Sequence, residues 1–245
     1  MTYFQFLLAF LLPPIVVLTI LVSKSDSLVK PRDIAKWITI IVVIAFTYTT
    51  PWDNYLVYKG VWFYGPDRVV GTLGFVPFEE YAFFILQPIL TGLWLVLILN
   101  KLKLEQRQNA PKLWRTSLVA FWSVCTLLGL LSLSASDQRL TYLGLILSWA
   151  CPVLAGMCWL SADKFWRHLK AWSLAISVPT AYLWFADRFA IDQGIWDISN
   201  QFSLDLDPFG LPIEEAIFFL LTNILVVQGL LMFLPLEKAK YAITE

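Results

Sequence analysis

The sequence predicts an all-α integral membrane protein of seven transmembrane helices, built as two parallel three-helix repeats joined by a connector helix. Three observations carry that prediction. Hydrophobic residues are 58% of the 245 and charged residues only 15%, whereas soluble domains average about 25% charged. Several apolar runs reach the ~20 residues that a helix needs to cross a bilayer. A set of eight residues in the first half also recurs in order in the second.

The expected spans are Tyr3 to Val22, Ile34 to Thr50, Val76 to Leu99, Arg115 to Leu133, Leu140 to Leu160, Leu169 to Ala186 and Leu211 to Leu234. The first lacks a basic leading segment and a small-residue cleavage site, so it is read as retained. The fourth is the connector. No linker or low-complexity tract interrupts the series, which predicts a single membrane domain over 1–245, divided into repeat 1 (1–100), a connector region (101–138) and repeat 2 (139–245). Of the 18 lysines and arginines, all but Lys59, Arg68, Arg139 and Arg188 fall on the side of the turns after spans one, three and five and of the C-terminus. The positive-inside rule therefore predicts a cytoplasmic C-terminus, an outside N-terminus and outward-facing loops after spans two and six, in a multi-pass protein of the cell membrane.

Those two loops carry the duplication. Asp53, Gly60 and Trp62 recur as Asp187, Gly194 and Trp196, each 134 residues later, while Pro77, Glu79, Glu80, Phe83 and Phe84 recur 135 later as Pro212, Glu214, Glu215, Phe218 and Phe219. A single inserted residue reconciles the offsets, and eight ordered matches argue for an internal repeat. Because the connector is one span, both triplets have the same orientation, related by a pseudo-two-fold along the membrane normal.

Each repeat leads from a Gly- and Asp-rich loop through Pro-x-Glu-Glu into an apolar helix. With Pro77 and Pro212 at the first helical position, Glu79 and Glu214 occupy the third and Glu80 and Glu215 the fourth, about 100° apart. Acidic residues in a first turn can simply complement the helix dipole. That explains one glutamate better than two, and leaves Gln87, Thr222 and Asn223, farther down the same helices, unexplained in a setting where polar groups are costly. Carboxyls crowded in an apolar place do not all ionise, so a protonated acid beside an ionised neighbour, and with it proton donation in a dry cavity, is expected.

The 12 Trp, 18 Phe and 9 Tyr exceed what interfacial belts require. Grouped near the motifs, their faces would stabilise a carbocation, although any single ring has packing as its ordinary role. Net charge is zero, which argues against a nucleic-acid partner. Cys125, Cys151 and Cys158 sit in apolar runs without metal-site spacing, and the sole histidine, His168, lies in a short basic turn, so no metal is expected. No glycine-rich fingerprint of a flavin or nicotinamide site is visible around Gly71 and Gly74, and no cofactor is expected. Asp187, Asp192, Asp197, Asp205 and Asp207 fall in an outward loop, which disfavours a diphosphate substrate held through magnesium. The last span has no lysine for a retinal Schiff base.

The stretches Pro51-Trp52-Asp53-Asn54-Tyr55, Gly60-Val61-Trp62 and Pro77-Phe78-Glu79-Glu80-Tyr81-Ala82-Phe83-Phe84, with Gly194-Ile195-Trp196-Asp197 and Pro212-Ile213-Glu214-Glu215-Ala216-Ile217-Phe218-Phe219 in the second half, resemble the membrane-integral lycopene cyclase family over the whole chain. The resemblance implies cofactor-independent cyclisation of the linear ψ-ends of lycopene to β-rings, giving β-carotene by way of γ-carotene. Glu79, Glu80, Glu214 and Glu215 would supply acid and base. Trp52, Asp53, Asn54, Trp62, Phe83, Phe84, Asp187, Trp196, Phe218 and Phe219 would surround the substrate, with Asp53 and Asp187 either partners of the glutamates or loop caps. The second repeat departs from the first, with Ala186-Asp187-Arg188 in place of Trp52-Asp53-Asn54. A carotenoid would enter sideways from the bilayer. The alternative is a seven-helix proton-coupled transporter of the SWEET type, which shares the three-plus-one-plus-three plan and can use buried glutamates for coupling. A structural or assembly subunit would leave the glutamate pairs without a task. The sequence leaves the oligomeric state open.

Overall fold

The structure, a computed structural model, describes residues 1–102 and 110–236. Of the basic residues behind the orientation expected above, Lys103, Arg107, Lys238 and Lys240 lie outside the described residues. The described residues form seven long helices: α1 (Tyr3–Lys24), α2 (Pro31–Lys59), α3 (Phe78–Lys101), α4 (Lys112–Ser134), α5 (Thr141–Arg167), α6 (Leu169–Asp192) and α7 (Ile213–Phe233). Six are long and apolar enough to cross a membrane. The exception is α6, which matches the others in length but is diluted by Ser173, Ser177, Pro179, Thr180 and Tyr182 and ends on Asp187, Arg188 and Asp192.

Among the helices that run past their expected ends, two correct the placement of several site residues. α2 continues through Pro51 to Lys59, so Trp52, Asp53 and Asn54 sit on a helix rather than in a loop; α6 likewise carries Asp187. Proline removes only one helical hydrogen bond, and the turns beyond it are fixed by the buried Leu56 and by the cap at Gly60. Both helices stop at a left-handed glycine, Gly60 (φ 73°) and Gly194 (φ 60°), a conformation without penalty for glycine. The N–H groups just beyond, on Val61 and Ile195, turn back to the carbonyls of Leu56 and Ala190.

The loops after these helices are more ordered than expected. β1 (Trp62–Tyr64) pairs antiparallel with β4 (Trp196–Ile198), bringing Trp62 opposite Ile198 and Tyr64 opposite Trp196, while β2 (Thr72–Leu73) and β3 (Val76–Pro77) form a second small ribbon. The first ribbon stitches the two halves together. At the same end, Tyr3 N–H donates to the Arg68 carbonyl and Tyr142 N–H to that of Phe202. The opposite end gathers basic residues: Lys164 donates to the Met232 carbonyl, and Arg115 pairs with Asp163.

α3 and α7 are the central helices, each with 61% of its most apolar window buried, against 11% for α4. α4 lies against α5 at close range, where a Cβ on Gly129 would stand 2.7 Å from Ser148 N. Midway down the bundle Asn223 on α7 receives hydrogen bonds from Gln87 (2.9 Å) and Thr91 (2.6 Å) of α3 and donates to Thr180 of α6 (3.1 Å). Gln87 and Asn223, noted below the motifs, thus join Thr91 and Thr180 in a clamp between three helices, whereas Thr222 donates within α7 to the Phe219 carbonyl.

Candidate active site

The two proline-glutamate motifs open α3 and α7. Pro77 and Pro212 prove to be N-caps rather than first helical residues, with ψ of 151° and 134°. At Pro77 the difference arises from strand pairing, because this residue is still extended in β3. The glutamates accordingly occupy the second and third helical positions, and the 100° between them separates two environments.

Glu79 and Glu214 turn to their own loops. Glu79 Oε1 accepts the Val70 N–H at 2.8 Å, and Glu214 Oε1 accepts the Leu204 N–H at 2.7 Å. Glu80 and Glu215 turn to one another's side of the bundle and line a single cavity of about 30 Å³ with Tyr3, Trp62, Tyr64, Phe83, Asp187, Trp196, Phe218 and Phe219. Tyr3 and Tyr64 both donate to Glu80 Oε2, at 2.7 and 3.3 Å. Tyr142 and the Trp62 indole both donate to Glu215 Oε1, at 2.5 and 3.2 Å. Each glutamate is therefore gripped by two aromatic donors at one oxygen, and its other oxygen has no donor among the described residues.

Asp53 and Asp187 complete the cluster. Asp187 Oδ1 accepts from the Trp196 indole at 2.9 Å, but Oδ2 has no hydrogen-bond partner among the described residues, nor has either oxygen of the fully buried Asp53. Asp53 is close enough to interact electrostatically with both Glu80 and Glu215. Three carboxyls thus line the cavity, with Asp53 buried within electrostatic reach of two of them, and no cationic side chain is in the lining. Four negative charges in such a place are untenable, and the cluster must hold protons. Just outside the helices, burial and then the charge of Glu80 push the Tyr64 phenol well above its ordinary value of 10.0, so it remains a donor.

Of the residues expected around the substrate, Trp62, Phe83, Asp187, Trp196, Phe218 and Phe219 meet in this cavity. Trp52 lies flat on Phe218 (5.7 Å, 7°) and on Trp149 (4.8 Å, 21°), walling it off on one side. Phe84 faces a second, larger cavity. Asn54 goes elsewhere: its oxygen accepts the Phe75 N–H and its amide donates to Tyr81 Oη, which braces the β2–β3 ribbon. Sequence reasoning passed over Tyr3, Tyr142 and Trp149. A signal existed for the first two, since each opens the first helix of its half of the chain and stands 139 residues from the other.

An arrangement of this kind can hand a proton to an apolar substrate and take one back. No family model matches the chain, and no solved structure matches it. Among characterised proteins it is similar to the lycopene beta-cyclase of Halobacterium salinarum, 38% identical over 234 residues that cover 95% of each chain. It is also similar to bifunctional lycopene cyclase/phytoene synthases of fungi: that of Neurospora crassa is 42% identical over 204 residues, 79% of this chain and 34% of the fungal one, and that of Phycomyces blakesleeanus is 34% identical over 241 residues, 93% and 38% of the two chains.

Proposed function

Because the chain belongs to the membrane-integral lycopene cyclase family, we propose that it closes the ψ-ends of lycopene into β-rings by acid–base chemistry in the one cavity that Glu80 and Glu215 share. The observation that carries this reading is the matched pair of grips on those two carboxyls. Ring closure is an isomerisation. A proton adds at C2 of the end group and leaves a cation at C1; the C5–C6 double bond attacks it to form the C1–C6 bond; the resulting cation at C5 loses the proton on C6. One proton enters and one leaves, so a carboxylic acid and a carboxylate suffice.

The free oxygen of Glu80 or Glu215 delivers the proton, and the paired aromatic donors stabilise the carboxylate left behind. The other glutamate accepts the departing proton. Trp62, Phe83, Phe218 and Phe219 present rings to the cation without offering a nucleophile that would trap it. Asp53 and Asp187 hold protons in exchange with the pair. Glu79 and Glu214, included among the candidate acids on sequence grounds, act in this reading by holding the loops that cover the cavity.

The same reading takes the chain as two like-oriented three-helix repeats around α4, each supplying one glutamate. The matched contacts of Glu79 with Val70 and Glu214 with Leu204 support it. The basic end, with Arg115 and Lys164, is cytoplasmic in the cell membrane, and the carboxyl cluster lies toward the outer face. The test is expression in a lycopene-accumulating bacterium with chromatography of the pigments. Cyclised carotene supports the proposal; unchanged lycopene beside well-folded protein rejects it and turns attention to proton-coupled transport.

A further inference from the structure

A second cavity, of about 250 Å³, runs along the bundle between α2, α3, α5 and α7. On α7 its lining extends from Phe218 to Phe233, fifteen residues or roughly 22 Å, most of the ~30 Å hydrocarbon thickness. No charged side chain lines it, and it shares Phe83 and Phe218 with the carboxyl cavity. Its side toward the bilayer is formed by Ile44 and Tyr48, which are 52% and 42% exposed. There α2 and α5 are bridged by side chains: Tyr48 stacks on Trp149 with centroids 5.4 Å apart and donates to the Trp149 carbonyl at 2.9 Å.

We propose that this groove is the binding site for the polyene chain of the carotenoid, which enters sideways between α2 and α5 past the Tyr48–Trp149 contact and delivers one end group across Phe83 and Phe218 to the carboxyls. The proposal rests on the cyclase reading and adds to it where the rest of the substrate lies. Continuity selects the occupant: the groove opens into the carboxyl cavity at Phe83 and Phe218 and its whole lining is uncharged, which suits a long hydrocarbon whose end group, rather than a polar headgroup, reaches the carboxyls. The carboxyl cavity is small and the two shared phenylalanines stand at its junction with the groove, so their rotation admits the end group.

The test separates binding from chemistry. A Glu80→Gln/Glu215→Gln double variant, purified from lycopene-accumulating cells, should retain lycopene. Adding Ala45→Trp or Val153→Trp, which fill the groove, should lower the retained pigment about ten-fold, equivalent to about 1.4 kcal/mol of lost binding. Phe121→Trp, on the lipid-facing side of α4, should leave it unchanged. Where a tryptophan variant fails to fold by thermal melting, Ala45→Leu tests the same wall with less added volume. Folded, filled variants that keep the native amount of lycopene, or an extract of the double variant holding phospholipid alone, would overturn the proposal. Failure of the cyclase reading looks different: groove-dependent retention of lycopene with no ring formed by the unaltered protein.

Discussion

The phenol of Tyr142 donates to Glu215 Oε1 at 2.5 Å, and the phenol of Tyr3 makes the matching 2.7 Å bond to Glu80 Oε2. Both tyrosines are fully buried, each in the first turn of its helix. Hydrogen bonds to a charged group contribute about 1.5–3 kcal/mol, and here they act mainly after the glutamate has given up its proton. Tyr142→Phe and Tyr3→Phe should therefore each slow ring formation by roughly 10- to 100-fold. The pH at which activity falls should shift as well, with melting temperature nearly unchanged. An unaltered rate, read from pigment conversion at matched protein levels, would remove these tyrosines from the mechanism.

Glu79 and Glu214 predict the opposite pattern. Each ties a loop to the start of its helix by a single backbone N–H, so Glu79→Ala or Glu214→Ala should cost about 1–3 kcal/mol of stability. That loss would appear as a lower melting temperature, while the protein that remains folded keeps most of its specific activity.

The helix clamp is testable by Asn223→Leu. This change strands Gln87, Thr91 and Thr180, all buried, and interhelical hydrogen bonds in membranes average about 0.6 kcal/mol each. A loss of roughly 2 kcal/mol in thermal or denaturant unfolding is expected. A loss confined to activity would place the network in the chemistry instead.

Tyr64 supplies a test in pH. Its phenol, held well above 10.0 by burial and by Glu80, is neutral in the folded protein but ionises at its ordinary value once unfolded. The stability linked to it is complete below about pH 10 and declines as the pH rises from there toward the folded value. Tyr64→Phe should therefore unfold at higher pH than the unaltered chain, measured by alkaline titration of helical signal. Identical alkaline transitions would contradict the burial assigned to this residue.

A single cavity shared by both halves also sets the order of events. With one place for an end group, the two ends of lycopene must react in separate visits, and the half-cyclised carotene has to leave the groove before its second end can enter. A pulse of labelled lycopene chased with unlabelled γ-carotene should yield β-carotene with diluted label. Undiluted β-carotene would mean that the molecule is processed without release.

Much of the fold and of the candidate site was legible in the sequence, for identifiable reasons. Six of the seven expected spans follow from hydropathy, since lipid imposes apolarity on whole helices, while α6 falls short of it. The glutamate pairs stood out because the duplication repeats them. What stayed hidden depends on tertiary contacts. Pro51 gave no sign that α2 would continue to Lys59, because the glycine cap and the packing of Leu56 decide it. The different contacts of Glu79 and Glu80 arise from the 100° between neighbouring helical positions, and the packing of α3 decides which of the two faces the cavity. Tyr3 and Tyr142 carry no signal beyond their like positions in the two halves, and the fold is what brings them to the carboxyls.

The most direct test of a single acid–base site built by both repeats compares Glu80→Gln and Glu215→Gln, each alone, in lycopene-accumulating cells at matched protein levels. Glutamine keeps the size and the hydrogen-bond acceptor but neither donates nor takes the proton. Each variant should fold with a melting temperature at or above that of the unaltered chain and leave lycopene wholly uncyclised. Continued formation of monocyclic carotene by either variant would mean that each repeat carries its own site, and would contradict the shared cavity.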